Sequence, residues 1–127
     1  MSGRISHFEV YGDSPEMLAN FYRDVLGWRI EKAEGVDYWR IQIDPDGTNA
    51  GGLTYRPTIS LSGWLPYMQV TSLDDTIIKA TRAGGRVLRE RTAVPRTAWY
   101  AVIADPDGNP FAIWQPDPKA FPPPEPD

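Results

Sequence analysis

The stretch that decides the fold is Asp44-Pro45-Asp46-Gly47, because the chain repeats it as Asp105-Pro106-Asp107-Gly108. Each copy follows a strand-like run, residues 38–43 in the first case and 99–104 in the second. In such turns proline presets φ, aspartate side chains accept hydrogen bonds from nearby amides, and glycine takes a positive φ. We therefore interpret both motifs as structural turns with no catalytic role.

The repetition extends upstream of the turns. His7 and Leu65 open matching segments, and Gly27 and Gly85 end them with the same separation from their openings. A repeated half of roughly 60 residues predicts two similar units packed about a pseudo-twofold axis. The patterns of apolar residues and turns predict an α+β fold of two tandem βαβββ units, which form curved mixed sheets around a cleft.

The predicted boundaries place a single domain at residues 1–116, with halves at about 5–56 and 64–116, and a flexible proline-rich tail at 117–127. In the first half Ser14 has the chemistry of a helix N-cap and Gly27 that of a C-cap. The predicted helix between them has an apolar stripe of Leu18, Phe21, Tyr22, Val25 and Leu26.

Composition excludes several classes of function. The formal net charge is −4 and the pI about 4.9, which argues against a nucleic-acid partner. Arg86, Arg89 and Arg91 form the nearest approach to a basic run, and at strand spacing Arg89 and Arg91 share one face, which we interpret as solvated. No apolar run reaches membrane-spanning length and no signal peptide is evident, so we expect a cytoplasmic protein without a membrane partner.

The order of these motifs resembles the vicinal oxygen chelate superfamily, which includes glyoxalase I, bleomycin-resistance proteins, fosfomycin-modifying enzymes and extradiol dioxygenases. The similarity covers residues 5–116. It is carried by His7-Phe8-Glu9-Val10, Ser14-Pro15-Glu16 through Phe21-Tyr22, Leu26-Gly27-Trp28, Ala83-Gly84-Gly85 and the segment from Asp105 to Phe111.

The resemblance implies a divalent metal held by His, Gln or Glu ligands from equivalent strands of the two halves. The four ligand positions correspond to His7, Gly52, Leu65 and Ala112 in this sequence. Three of these residues have no side-chain donor, and such metal sites need about three protein ligands. A shifted alignment would bring in Glu9 or Gln69, but residues two apart on a strand lie about 6–7 Å from each other. We therefore predict no metal and no cofactor.

Strand alternation predicts which side chains face the cleft, given that the four ligand positions do. The same alternation directs Tyr11 and Thr54 toward the cleft. We interpret Trp28 and Trp39 as packing residues. Ile41 and Ile43 are expected in the core. The predicted ligand-binding residues are His7, Glu9, Arg40, Gln42, Tyr67, Gln69, Trp99 and Trp114.

Two main functions follow from these residues. The first is a metal-free binding module for a small planar or aromatic molecule, in the manner of the bleomycin-resistance branch. The alternative is a glyoxalase-like lyase or isomerase that uses His7 with Glu9 or Tyr67, with or without a metal. His7 is the candidate catalytic residue, although a structural histidine explains it equally well. A regulatory role through the tail is a third possibility, and the resemblance also implies a homodimer.

Overall fold

A computed structural model describes residues 3–44, 46, 49–57, 61 and 63–122. The chain divides into two compact units, which we call the N-terminal unit (residues 6–66) and the C-terminal unit (residues 1–5 and 67–127). Neither of the helices within the described ranges is long and apolar enough to cross a membrane.

The N-terminal unit contains one βαβββ set in chain order, apart from the first two residues of its first strand. Its elements are β1 (Arg4–Gly12), α1 (Pro15–Leu26), β2 (Arg29–Lys32), β3 (Tyr38–Gln42) and β4 (Asn49–Tyr55). The strands lie in the order β2-β3-β4-β1. Strand β1 is parallel to β4, and the other two pairs are antiparallel.

The C-terminal unit repeats that arrangement. Its elements are β5 (Trp64–Gln69), α2 (Leu73–Arg82), β6 (Arg86–Val94), β7 (Ala98–Ala104) and β8 (Pro110–Pro116), in the strand order β5-β8-β7-β6. Strand β5 is parallel to β8, and β8 and β6 are antiparallel to β7. The predicted α+β class with two βαβββ sets is confirmed. The first two residues of β1 belong to the C-terminal unit, and residues 64–66 of β5 belong to the N-terminal unit.

Helix α1 covers one face of the N-terminal sheet. The buried cluster beneath it contains Val10, Ala19, Ile30, Trp39, Ile41 and Leu53, with Phe8, Leu18, Tyr22 and Trp28 packed against it. The indole Nε1–H of Trp39 donates to Glu16 Oε2 at 2.8 Å. The packing role predicted for Trp28 and Trp39 is therefore confirmed.

Three details of this unit differ from the predictions. Ile43 lies just beyond β3 and is 44% exposed, so it does not belong to the core. Phe21 and Val25 of the predicted apolar stripe are 55% and 60% exposed, because the buried side of α1 is centred on Ala19. The side chain of Ser14 does not cap the helix, although Gly27 ends it with φ 69° as predicted.

Helix α2 covers one face of the C-terminal sheet in the same way. Its N-cap Ser72 accepts a hydrogen bond from the Asp75 amide at 3.2 Å. The core beneath it contains Val70, Leu73, Ala101, Ile103 and Ile113, and Ile77, Ala80, Trp99 and Phe111 pack against it. Since Trp99 belongs to this set, it lies on the helix side of the sheet.

The turn after β7 has the predicted chemistry. Asp105 Oδ1 accepts from the Asp107 and Asn109 amides, each at 2.9 Å, and Gly108 has φ 91°. Hydrogen bonds from the Asn109 side chain and then its amide lower the pKa of Asp105, and the Asp107 and Gly108 amides contribute less. The turn that follows β3 includes Pro45 and Gly47, which lie outside the described residues.

The beginning of the proline-rich segment contacts the turn between β6 and β7. The Asp117 amide donates to the Thr97 carbonyl at 2.9 Å, and the Arg96 amide donates to the Ala120 carbonyl at 2.8 Å. Ala120 is fully buried. The described part of the predicted tail is thus hydrogen-bonded to the sheet, residues 123–127 lie outside the described residues, and the flexibility of the tail stays a prediction.

Candidate functional site

The face of the N-terminal sheet opposite α1 carries the polar residues. Partners in register across a sheet point to the same face. Gly52 of β4 lies in register with Glu9 on one side and with Arg40 on the other. His7 and Gln42 follow on the same face by alternation. The structure therefore brings His7, Glu9, Arg40 and Gln42 to one surface, as the sequence predicted.

Glu9 is the centre of a polar cluster on this face. Its Oε1 accepts a hydrogen bond from the Tyr11 hydroxyl at 2.7 Å, and its Oε2 accepts from the Tyr38 hydroxyl at 3.2 Å. The His7 imidazole lies close to both, with Nε2 at 3.6 Å from Glu9 Oε2 and 3.3 Å from the Tyr38 oxygen. The side chains of His7 and Glu9 are 24% and 15% exposed. We call His7, Glu9, Tyr11 and Tyr38 the polar cluster.

Gly52 makes this cluster possible. A Cβ atom built on Gly52 would overlap the Tyr38 hydroxyl oxygen and its ring carbons. The Tyr38 ring therefore lies across the backbone of β4, in the space that a side chain at position 52 would fill. Only a residue without a side chain allows a ring from β3 to cross β4 and reach Glu9 on β1.

The environment of Tyr38 keeps its phenol protonated. Burial raises its pKa most, and the negative charge of Glu9 and the hydrogen bond to that carboxylate raise it further. The positive charge of Arg40 acts in the opposite direction and is the smallest of these effects. At neutral pH Tyr38 is thus a proton donor held next to a carboxylate and an imidazole.

The donor set does not fit the metal implied by the resemblance. The Tyr38 phenol, whose raised pKa disfavours the phenolate form that binds metals, takes the place of an acidic side chain at position 52. Leu65 and Ala112, at two other ligand positions, are buried apolar residues. Within the described part of the chain, no group of three or more His, Cys, Asp or Glu side chains is placed to hold a metal ion.

Arg40 and Gln42 extend the same face toward the edge of the sheet. Arg40 is exposed and Gln42 is half-buried. None of the ion pairs found within the described ranges joins Arg40 to Glu9, whose carboxylate accepts hydrogen bonds from Tyr11 and Tyr38.

The corresponding face of the C-terminal sheet is aromatic. Two rows of residues cross all four strands, as the pairing registers show. The first row is Arg89, Val102, Ala112 and Tyr67, and the second is Thr92, Tyr100, Trp114 and Gln69. Three of the predicted ligand-binding residues, Tyr67, Gln69 and Trp114, thus share one face, opposite α2.

The prediction that Trp99 joins this face is wrong. Trp99 packs against the core beneath α2, and its indole N–H donates to Asp117 at 3.1 Å. The Arg91 guanidinium covers its ring at 4.1 Å and pairs with Asp74 of α2. Tyr100 takes the position that was expected of Trp99, with its ring centroid 6.4 Å from that of Tyr67.

Sequence reasoning missed Tyr38 and Tyr100 as site residues. The signal for Tyr38 was present, because a strand with Trp39 and Ile41 in the core places Tyr38 beside Arg40 and Gln42 by alternation. The signal for Tyr100 was its pairing with Trp114, which requires the register of β7 with β8. Tyr38 therefore belongs to the polar face of the N-terminal sheet, and Tyr100 belongs to the aromatic face of the C-terminal sheet.

Comparison with solved structures shows the fold. A glyoxalase/bleomycin resistance protein/dioxygenase superfamily member from Vibrio splendidus is 17% identical, with a TM-score of 0.64, over 91% of this chain and 99% of that one. A variant of methylmalonyl-CoA epimerase from Streptomyces coelicolor, in complex with 2-nitronate-propionyl-CoA, is also 17% identical, with a TM-score of 0.59, over 96% and 100% of the two chains.

Comparison of sequences gives relatives and a family. A Mycobacterium tuberculosis protein provisionally named as a glyoxylase, CFP32, is 30% identical over 122 residues, which are 93% of this chain and 46% of that protein. The same holds for its Mycobacterium bovis counterpart, so the chain spans about half the length of the curated relatives it matches. The family model of the Glyoxalase/Bleomycin resistance protein/Dioxygenase superfamily matches residues 4–113. The chain therefore belongs to the glyoxalase/bleomycin resistance protein/dioxygenase superfamily.

Proposed function

We propose that this member of the superfamily binds a small planar or aromatic molecule without a metal. The observation that carries the proposal is the Tyr38 ring, which fills the space at Gly52 where the resemblance implies an acidic metal ligand. In place of a metal, the polar cluster offers a phenol, an imidazole and a carboxylate as hydrogen-bonding groups. A few polar groups on a largely apolar surface are typical of small-molecule sites.

The C-terminal unit supports the aromatic part of the proposal. Tyr67, Tyr100 and Trp114 share a sheet face with the small residues Val102 and Ala112. Aromatic rings stack on planar ligands and contribute about 0.5–1.5 kcal/mol per pair beyond the burial of area. A flat, partly apolar ligand therefore suits this face better than an aliphatic polyol does.

Two measurements test the proposal. Titration of the purified protein with Zn²⁺, Ni²⁺ and Mn²⁺, followed by calorimetry, should show no stoichiometric binding that depends on His7, and a chelator should leave the melting temperature unchanged. Quenching of tryptophan fluorescence should then detect aromatic ligands in preference to aliphatic diols, and Trp114→Phe should reduce the quenching. A stoichiometric metal lost in His7→Ala would refute the metal-free proposal.

A glyoxalase-like lyase or isomerase is the second candidate, and the arrangement of His7 and Glu9 favours it. A carboxylate with an imidazole at 3.6 Å and a phenol at 3.2 Å forms a set of acid and base groups within reach of one another. Tyr67 lies in the C-terminal unit, so its pairing with His7 stays a prediction. Turnover of the hemithioacetal of an α-ketoaldehyde, abolished by Glu9→Gln and retained in the matched Glu31→Gln at an exposed carboxylate, would establish this function. A cytoplasmic location and a small-molecule partner are part of both proposals.

A further inference from the structure

Arg89 of β6 is aimed away from α2 by two irregularities in its strand. The register of β6 with β7 shifts once between Val87 and Arg89 and again between Arg89 and Thr92. An extra residue in one strand of an antiparallel pair bends that strand and re-aims its side chains. Arg89 and Arg91 consequently lie on opposite faces, so the prediction that they share one is wrong.

The two arginines have different surroundings. Arg91 pairs with Asp74 at 2.9 Å and stacks on Trp99, on the side of α2. Arg89 is half-buried on the opposite face, where its guanidinium lies 5.7 Å from the centroid of the Tyr100 ring. Its Nε–H donates to Thr92 Oγ1 at 3.4 Å, a long hydrogen bond.

No carboxylate neutralises Arg89 within the described ranges of the chain. The arginines that the structure pairs with Asp or Glu are Arg23, Arg29, Arg56 and Arg91. A guanidinium has five N–H donors in a planar fork that matches a carboxylate. A half-buried guanidinium with one long hydrogen bond and an aromatic neighbour is therefore well suited to an anionic partner.

The rest of the row gives the shape of that partner. Val102 and Ala112 separate Arg89 from Tyr67, so the floor between the cation and the aromatic ring is formed by small apolar side chains. Four neighbouring strands span about 14 Å from the first to the last. Tyr100 and Tyr67, with ring centroids 6.4 Å apart, border the floor on the next row and at its end. Because Val102 and Ala112 are themselves buried, a flat ring system would lie against the half-buried Tyr100 and Tyr67 rings, with its charged group toward Arg89.

We infer that Arg89, Tyr100 and Tyr67 form a binding site for a planar organic anion, an aromatic or conjugated carboxylate whose charged group Arg89 binds. The inference rests on the proposed function and makes it more specific, because it assigns the charge of the ligand and the residue that recognises it. It assigns this recognition to Arg89 of the C-terminal unit, which was not among the residues that the sequence predicted to bind a ligand.

The experiment compares naphthalene carboxylate with naphthalene carboxamide, which has the same ring and no charge, by isothermal titration calorimetry. The wild type should bind the carboxylate about tenfold more tightly, as expected for a charge-assisted contact. Arg89→Gln should abolish this preference, and Arg89→Lys should retain part of it, because the charge remains without the planar fork. Arg91→Gln is the matched control and should keep the tenfold preference. Urea unfolding of each variant verifies that it is folded.

The outcomes separate this inference from the proposal on which it rests. Equal binding of the carboxylate and the carboxamide by the wild type would overturn the role of Arg89 and leave the binding of planar molecules intact. A preference that survives in Arg89→Gln and disappears in Arg91→Gln would also overturn it. Binding of neither compound would overturn both. Added salt should weaken the carboxylate alone, since only that interaction is between charges.

Discussion

Replacing Tyr38 with phenylalanine removes one hydroxyl from the polar cluster and keeps the ring over Gly52. The lost oxygen lies 3.2 Å from Glu9 Oε2 and 3.3 Å from His7 Nε2. Hydrogen bonds to charged groups contribute about 1.5–3 kcal/mol, but the distance to Glu9 exceeds the usual O–H···O length of about 2.7–2.8 Å, and the distance to His7 exceeds the usual N–H···O length of about 2.9–3.0 Å. We therefore expect Tyr38→Phe to lower the free energy of unfolding by about 1–1.5 kcal/mol.

Two other tyrosines calibrate this value. The Tyr11 hydroxyl is 2.7 Å from Glu9 Oε1 and its residue is buried, so Tyr11→Phe should cost about 2–3 kcal/mol. Tyr55, on the neighbouring strand, is 48% exposed, and Tyr55→Phe should change stability by less than about 0.5 kcal/mol. Urea unfolding measures all three, with an unchanged m value as the check that the unfolding reaction is the same. A neutral or stabilising Tyr38→Phe would refute the account of the cluster.

The pH dependence of the same variant tests the raised pKa of Tyr38. In the unfolded chain this phenol ionises near its ordinary value of 10.0, whereas in the folded protein it stays protonated to higher pH. The unfolded state therefore releases a proton first, and the stability contributed by Tyr38 is fully present below pH 10.0 and declines as pH rises above it. The stability difference between wild type and Tyr38→Phe should accordingly shrink above that pH. A constant difference up to pH 11, about one unit higher, would contradict the shift.

Gly52, Phe21 and Asp105 provide further tests. Gly52→Ala should displace the Tyr38 ring and cost about 1–3 kcal/mol in urea unfolding, and an unchanged stability would show that the ring does not cover Gly52. The predicted homodimer should sediment as a dimer at about ten micromolar, and Phe21→Glu, on the exposed side of α1, should weaken it if that helix lies in the interface. Asp105→Ala should lower the melting temperature at neutral pH, and the difference should shrink as pH falls below 3.8, because a lowered pKa stabilises the fold only while the carboxylate is charged.

The fold could be predicted because the signals that define it are local and occur twice. Each glycine and each turn motif constrains a few neighbouring dihedral angles, and their common spacing requires the same order of elements in both halves. The positions of His7 and Glu9 followed from the same regularity, since β1 alternates without a shift between Phe8 and Gly12 in its pairing with β4. A regular strand can be interpreted from its sequence alone.

The error at Trp99 shows where that reasoning fails. The repeat aligns Asp44 with Asp105, but Ile41 precedes its aspartate by three positions and Ile103 by two. The additional residue, Ile43, lies outside β3 and is exposed. A shift of one residue exchanges the two faces of a strand. Aligning β7 with β3 at the turn motif therefore placed Trp99 on the wrong face of the sheet.

The error at Arg89 and Arg91 has a related cause. The bulge in β6 has no signal in the sequence, because the segment from Arg89 to Thr92 contains neither glycine nor proline. Only the pairing of β6 with β7 reveals that Arg89 faces the aromatic rows while Arg91 faces α2. Single-strand periodicity cannot recover this distinction, and Arg89, whose guanidinium lies beside Tyr100, was consequently interpreted as solvated.

Gly52 connects the loss of a metal ligand with the gain of a hydrogen-bonding cluster. From the sequence, glycine at this position indicated only that an acidic side chain was missing. In the structure the same absence provides the space in which the Tyr38 ring reaches Glu9 and His7. Restoring a carboxylate at position 52 would therefore not restore a metal site, because it would first have to displace a half-buried tyrosine. The two features depend on each other, so the chemistry of this face has to be inferred from Tyr38, Glu9 and His7 together.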